Sequence, residues 1–71
     1  MNIIEAILEA KKENVEIARS WWKDSLSIRP TDSPECCIVI DLKNKKPLAS
    51  RWNPKAEDLT ANDWELIKRT E

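Results

Sequence analysis

Glycine is absent from all 71 residues. Every turn must therefore be built from Asn, Asp, Pro or Ser, and the glycine-rich phosphate loops of P-loop and dinucleotide-binding proteins are excluded. Histidine is absent too, which removes the Ser-His and Cys-His pairs of nucleophilic catalysis. The two cysteines, Cys36 and Cys37, are adjacent. On an extended segment neighbouring side chains point to opposite faces, so the pair is not expected to bridge, and two adjacent thiols do not make a zinc site. Phenylalanine and tyrosine are also missing, leaving Trp21, Trp22, Trp52 and Trp64 as the whole aromatic content. No apolar run is long enough to cross a bilayer, and Met1 to Glu5 lacks the basic region and apolar run of a signal peptide. We expect a cytosolic protein with reduced thiols, no membrane partner, no metal and no cofactor.

What is present is close to neutral. Twelve basic and thirteen acidic residues give a net charge of −1, without the basic excess of a protein that binds nucleic-acid polymers. Residues 1–71 are expected to form a single domain near the size at which one core becomes marginal. Apolar residues make up 41%, so self-association is the expected source of further stability.

Along the chain, Asn2 and Glu5 have capping-box spacing. Ile3, Ile7 and Ala10, joined by Ile4 and Leu8, form a helical stripe. Lys11, Lys12 and Asn14 supply a cationic last turn and a residue suited to the left-handed conformation. The spacing predicts a helix from Ile3 to Glu13. Val15 to Arg19 alternates as a first strand with Val15 and Ile17 inward, and Leu26 and Ile28 mark a second strand ending at Pro30. The run from Cys36 to Leu42 is the most β-prone, and its near-continuous apolar character predicts a strand covered on both faces, either by the helix and a neighbour or by another subunit. Lys43 to Lys46 makes a solvated hairpin tip, and Pro47 to Ser50 begins a return strand. Pro54 opens a short helix through Leu59, Thr60 to Asp63 forms a capped turn, Trp64 to Ile67 is the last strand, and the tail from Lys68 is expected to fray. The fold class is α+β: an N-terminal helix packed on a small antiparallel β-sheet, with a short second helix before the last strand.

The opening helix, the Arg-Ser-Trp-Trp junction at residues 19–22 and the ending Trp-Asn-Pro…Asp-Leu-Thr-Ala-Asn-Asp-Trp-Glu-Leu at residues 52–66 together resemble one family. It is the second type of Thoeris anti-defence protein, small proteins of phages and prophages. Glu5-Ala6, Arg19, Trp22, Trp52, Asp58-Leu59, Ala61 and Asp63-Trp64-Glu65 fall on that pattern, which covers about half of the chain; the closing motif is the more specific part. Asn14 and Trp21 stand where the family usually has glycine, and the middle from Lys23 to Ala49 is shorter than usual.

The resemblance implies a sponge: a homo-oligomer, dimer or tetramer, in the bacterial host cytosol. Such proteins bind cyclic ADP-ribose isomers, and in some relatives cyclic dinucleotides, without cleaving them, so that the downstream immune effector is never switched on. The residues expected to bind the ligand are Arg19, Trp22, Trp52, Asn53, Asp58 and Asp63.

Each also has a plainer reading. Trp64 alternates with Leu66 and reads as core. Trp22 follows a strand end and serves either as core or as a purine-stacking face. Trp52, at the mouth of a turn, reads as a stacking platform, and a base against such a face contributes about 1–3 kcal/mol. Arg19 is either a solvated charge or a phosphate contact, which its guanidinium fork suits. Asn53 is a turn residue or reads a base edge or ribose hydroxyl. Asp58 and Asp63 accept ribose hydroxyls, although Asp63 is equally a capping partner of Thr60, which makes Asp58 the better candidate. Trp21 fills space at a subunit contact.

Catalysis has little support. Beyond the missing histidine, the thiols lie in an apolar run that keeps them protonated, and the carboxylates at Glu57, Asp58, Asp63 and Glu65 have the spacing of surface and cap residues. Binding without turnover is expected, so the protein is not expected to be an enzyme. The alternative is a small phage protein that inhibits a host enzyme by direct contact through an exposed β edge or a Trp patch.

Overall fold

The computed structural model describes residues 1–22, 25–34, 37–44 and 46–67. Helix α1 spans Ile3–Glu13, the residues its sequence pattern predicts. The Asn2 side chain accepts from the Glu5 N–H at 2.8 Å, and the Glu5 carboxylate accepts from the Asn2 N–H at 3.0 Å. This reciprocal cap satisfies two backbone donors and is worth about 1 kcal/mol. Asn14 ends the helix at φ 58°, ψ 48°, and its N–H bonds to the Ala10 carbonyl. With no glycine available, asparagine takes the left-handed position at small cost.

Five strands follow: β1 (Glu16–Arg19), β2 (Leu26–Pro30), β3 (Cys37–Asp41), β4 (Lys46–Ala49) and β5 (Trp64–Ile67), with helix α2 (Ala56–Thr60) before the last. All pairs are antiparallel, in the order β4-β3-β2-β1-β5. The predicted α+β fold, with a helix on an antiparallel sheet and a short second helix before the last strand, is the observed one. Helix α2 begins two residues later than the Pro54 signal suggests. Pro54 and Lys55 lead into it, and the Asp58 carboxylate accepts from the Lys55 N–H at 3.1 Å. The tail from Lys68, together with Cys36 and Lys45, lies outside the described residues.

Helix α1 packs across β5, β1 and β2. Ile3, Ala6 and Ala10 press onto Ile17, Ile28 and Trp64. The two alanines let the helix approach the sheet closely, which a larger side chain would prevent. Beyond the cover of α1, β3 is only half-buried except at Ile40. Of the two covers expected for this strand, the helix and a neighbouring strand supply only part among the described residues: β3 lies one strand from the sheet edge. Strand β4 is exposed throughout, and its Pro47 and Lys46 are residues that discourage further pairing at an edge. At the other edge, the Trp64 N–H donates to the Met1 carbonyl at 3.1 Å, and the Met1 ammonium donates to the carbonyls of Asn62 and Trp64.

On the sheet face away from α1, Glu16 is buried and takes Arg29 in an ion pair at 3.0 Å. Ser27 is fully buried on β2, and its hydroxyl has no hydrogen-bond partner among the described residues.

Candidate functional site

Trp64 opens β5 directly opposite Arg19, the last residue of β1. Strand alternation puts both on the α1 side with Ile17 and Leu66. Trp64 is 2% exposed, and its indole N–H donates to the Asp58 carbonyl at 2.8 Å. The bond satisfies a buried donor and fixes α2 against the end of the sheet.

Trp22 and Trp52 flank this ring edge-on, with centroids at 5.5 and 5.8 Å and interplanar angles of 83° and 82°. Both are half-buried. Trp21, largely exposed, meets Trp22 at 6.2 Å. Edge-to-face pairs of this kind add about 0.5–1.5 kcal/mol each beyond the area they bury. The four tryptophans, scattered over more than forty positions, form one chain of contacts with Trp64 as its buried link.

Arg19 lies under this cluster. Its side chain is 8% exposed; Nη1 donates to Asp58 Oδ1 at 2.7 Å and Nε donates to Asp63 Oδ1. The guanidinium carbon stands 5.7 Å from the Trp21 ring centre and 5.9 Å from that of Trp64, within the range of a cation–π contact. The expectation of a solvated charge is corrected: Arg19 is enclosed by two carboxylates and two indoles. The hydrogen bond to Asp63 is the main cause holding its pKa above the ordinary arginine value, against the effect of burial. Reciprocally, the Arg19 hydrogen bond holds the Asp63 carboxyl below its ordinary value, with the Ser20 hydroxyl adding in the same direction.

Asp63 does not cap Thr60. The Thr60 hydroxyl turns back to the carbonyls of Ala56 and Glu57, while Asp63 takes Arg19 and the Ser20 hydroxyl. The Asp63 side chain is 37% exposed, whereas that of Asp58 is 8% exposed. The preference for Asp58 as the ribose contact is therefore corrected: Asp58 is enclosed with Arg19, and Asp63 is the one open to solvent.

Five of the six residues singled out by sequence are thus joined through Arg19 and Trp64. Arg19 bonds to both Asp58 and Asp63, Trp22 and Trp52 pack on Trp64, and Asn53 follows Trp52 as an exposed residue. Sequence reasoning missed the bond from the Trp64 indole to the Asp58 carbonyl. It also missed Arg51, which adopts φ 56°. This left-handed turn lets the Trp52 N–H reach the Cys37 carbonyl at 2.9 Å while its ring meets Trp64. In a chain without glycine, a non-glycine residue has to take such a position, and Arg51 takes it at a backbone cost of about 1–2 kcal/mol. Among the described residues, no three Cys, Asp or Glu side chains converge to hold a metal ion, and no described helix is long and apolar enough to cross a membrane.

Comparison with protein families finds that the Thoeris anti-defense 2-like domain (Tad2-like) matches residues 1–67. Searches of curated proteins and of solved structures returned no match.

Proposed function

The chain belongs to the Thoeris anti-defense 2-like family, and on that premise we propose that it sequesters a cyclic nucleotide immune signal, a cyclic ADP-ribose isomer or a cyclic dinucleotide, without cleaving it. An anti-defence role follows from family membership; the mode of action is our reading. The observation that carries it is the placement of two half-buried indoles, Trp22 and Trp52, around the buried Trp64. A half-buried indole held by a neighbouring ring is pre-ordered for a purine, so little rotamer entropy is lost on stacking.

In this reading Trp22 and Trp52 contact the base, and Asn53 and the open edge of Asp63 hydrogen-bond to base or ribose. Arg19 and Asp58 act from below: the pair anchors the end of α2 and keeps the indoles and Asp63 in place. No step of bond breaking is involved, which suits a chain without histidine. The protein works as a single-domain homo-oligomer, dimer or tetramer, in the host cytosol. Ile4 and Leu8, exposed one turn apart on α1, and the exposed Trp21 and Leu59 supply apolar surface for contacts between copies.

A thermal-shift panel of cyclic ADP-ribose isomers and cyclic dinucleotides tests the reading. At least one should raise the melting temperature of the wild type, and Trp52→Ala should abolish the rise while leaving the oligomer intact by light scattering. An unchanged melting temperature across the whole panel would overturn it and favour a protein-directed inhibitor, which would instead co-purify with its target.

A further inference from the structure

Two acidic residues hold two of the nitrogens on the arginine that the sequence offered as a phosphate contact. Arg19 Nε and Nη1 are bonded to Asp63 and Asp58, and the side chain is enclosed. A cyclic ADP-ribose isomer or a cyclic dinucleotide carries two phosphate groups, and their charge has to be met by cations that reach solvent.

The described cations divide clearly. Lys11, Lys12, Arg19 and Arg29 each have a carboxylate partner. Lys43, Lys46, Arg51 and Lys55 have none within ion-pairing distance among the described residues. Lys43 and Lys46 belong to the β3–β4 hairpin, where Lys43 sits beside Asp41. Arg51 and Lys55 bracket Trp52-Asn53-Pro54 and are both exposed. Their α-carbons are separated by four residues and hence by no more than about 14 Å, a span that two long side chains can close around a ligand.

We propose that Arg51 and Lys55 are the phosphate-binding residues of the site, holding the phosphate groups of a nucleotide whose base stacks on the Trp52 indole. The proposal rests on the sequestration reading above. Arg51 Nε donates to the Pro34 carbonyl at 3.4 Å, which steadies the side chain and leaves the terminal amino groups of the fork to face a phosphate. Lys55 adds a point charge on the other side of Trp52, its backbone N–H being held by Asp58. The left-handed backbone at Arg51 thereby serves two ends, directing the indole of Trp52 inward and placing a cation beside it.

The test is calorimetric titration of wild type, Arg51→Gln, Lys55→Gln, Arg51→Lys and Lys43→Gln with the panel member that binds wild type, at low and high salt. Glutamine is unbranched at Cβ like arginine and lysine and so keeps a similar left-handed backbone cost at position 51, while it removes the charge. Arg51→Gln and Lys55→Gln should each weaken binding roughly tenfold, the scale of a lost charge-assisted hydrogen bond, and should flatten its salt dependence. Arg51→Lys should recover part of the loss, and Lys43→Gln should match wild type. If Arg51→Gln also lowers the melting temperature, Lys55→Gln, outside the left-handed turn, carries the test alone. Wild-type affinity and salt dependence in both glutamine variants would overturn this assignment and leave the sequestration reading standing. Failure of the wild type to bind any panel member would overturn both.

Discussion

Strands β1 and β4 are each four residues long, yet every residue of β1 is buried and every residue of β4 is exposed. The difference is one of neighbours rather than composition. Strand β1 is flanked by β2 and β5 and covered by α1, and its last residue closes an ion-pair cluster. Strand β4 pairs only with β3, across a register shift at Val39/Ile40. At the β1–β5 end, contacts between residues far apart in sequence fix each side chain several times over. At the β3–β4 end most restraints are local, such as the Asp41 carboxylate holding Asn44 and the Lys43 N–H. The buried part of the candidate site, Trp64, Arg19 and Asp58, sits at the well-fixed end, and Trp52 reaches it from the segment after β4, so part of the ordering cost has been met by folding and not left to binding.

Trp64→Ala breaks this contrast most severely. It removes the link between two other indoles and the partner of the Asp58 carbonyl, and should cost about 3–5 kcal/mol, read by urea unfolding. Leu48→Ala on β4 should stay within about 0.5 kcal/mol.

Asp58→Ala should cost about 3 kcal/mol, near the lower end for breaking a buried ion pair, because Asp63 still partners Arg19. The same unfolding titration reads it.

Acid should loosen the cluster. The Asp63 carboxyl is held below its ordinary 3.8 by Arg19, so its contribution is fully present above that value and is lost as the pH falls through the lowered one. Melting temperatures recorded as the pH is lowered should fall less steeply for Asp63→Asn than for wild type. Parallel acid limbs would place the sensitivity elsewhere.

A modest effect of opposite sign is expected on β2, between the two ends. Ser27→Ala replaces a buried hydroxyl that has no partner among the described residues and should raise stability by about 1 kcal/mol. A loss of that size would mean that the hydroxyl is bonded in solution.

How legible the fold was follows the same division. Helix α1 was readable from Asn2, Glu5 and the Ile3–Ile7–Ala10 spacing because cap and stripe are local signals, and Asn14 marked its end for the same reason. The alternation of Trp64 with Leu66 marked β5 and its buried face. Arg19 was not readable. Its partners lie 39 and 44 residues away, and no local pattern distinguishes an arginine that will be enclosed from one left in solvent. The apolar run of β3 marked a strand but not its cover: hydrophobicity is intrinsic, whereas cover within the chain depends on how far α1 extends over the sheet. The tryptophans stood out by their rarity, but only the fold shows that all four join one chain of contacts.

The central claim is that the indole cluster holds a cyclic nucleotide and returns it whole. The direct measurement is to load the protein with the messenger that stabilises it, remove unbound material by filtration, denature by heat, and identify what is released by mass spectrometry. The account predicts the unaltered cyclic nucleotide in stoichiometric yield from wild type and none from Trp52→Ala. Release of a linear or hydrolysed product, or equal recovery from both proteins, would contradict it.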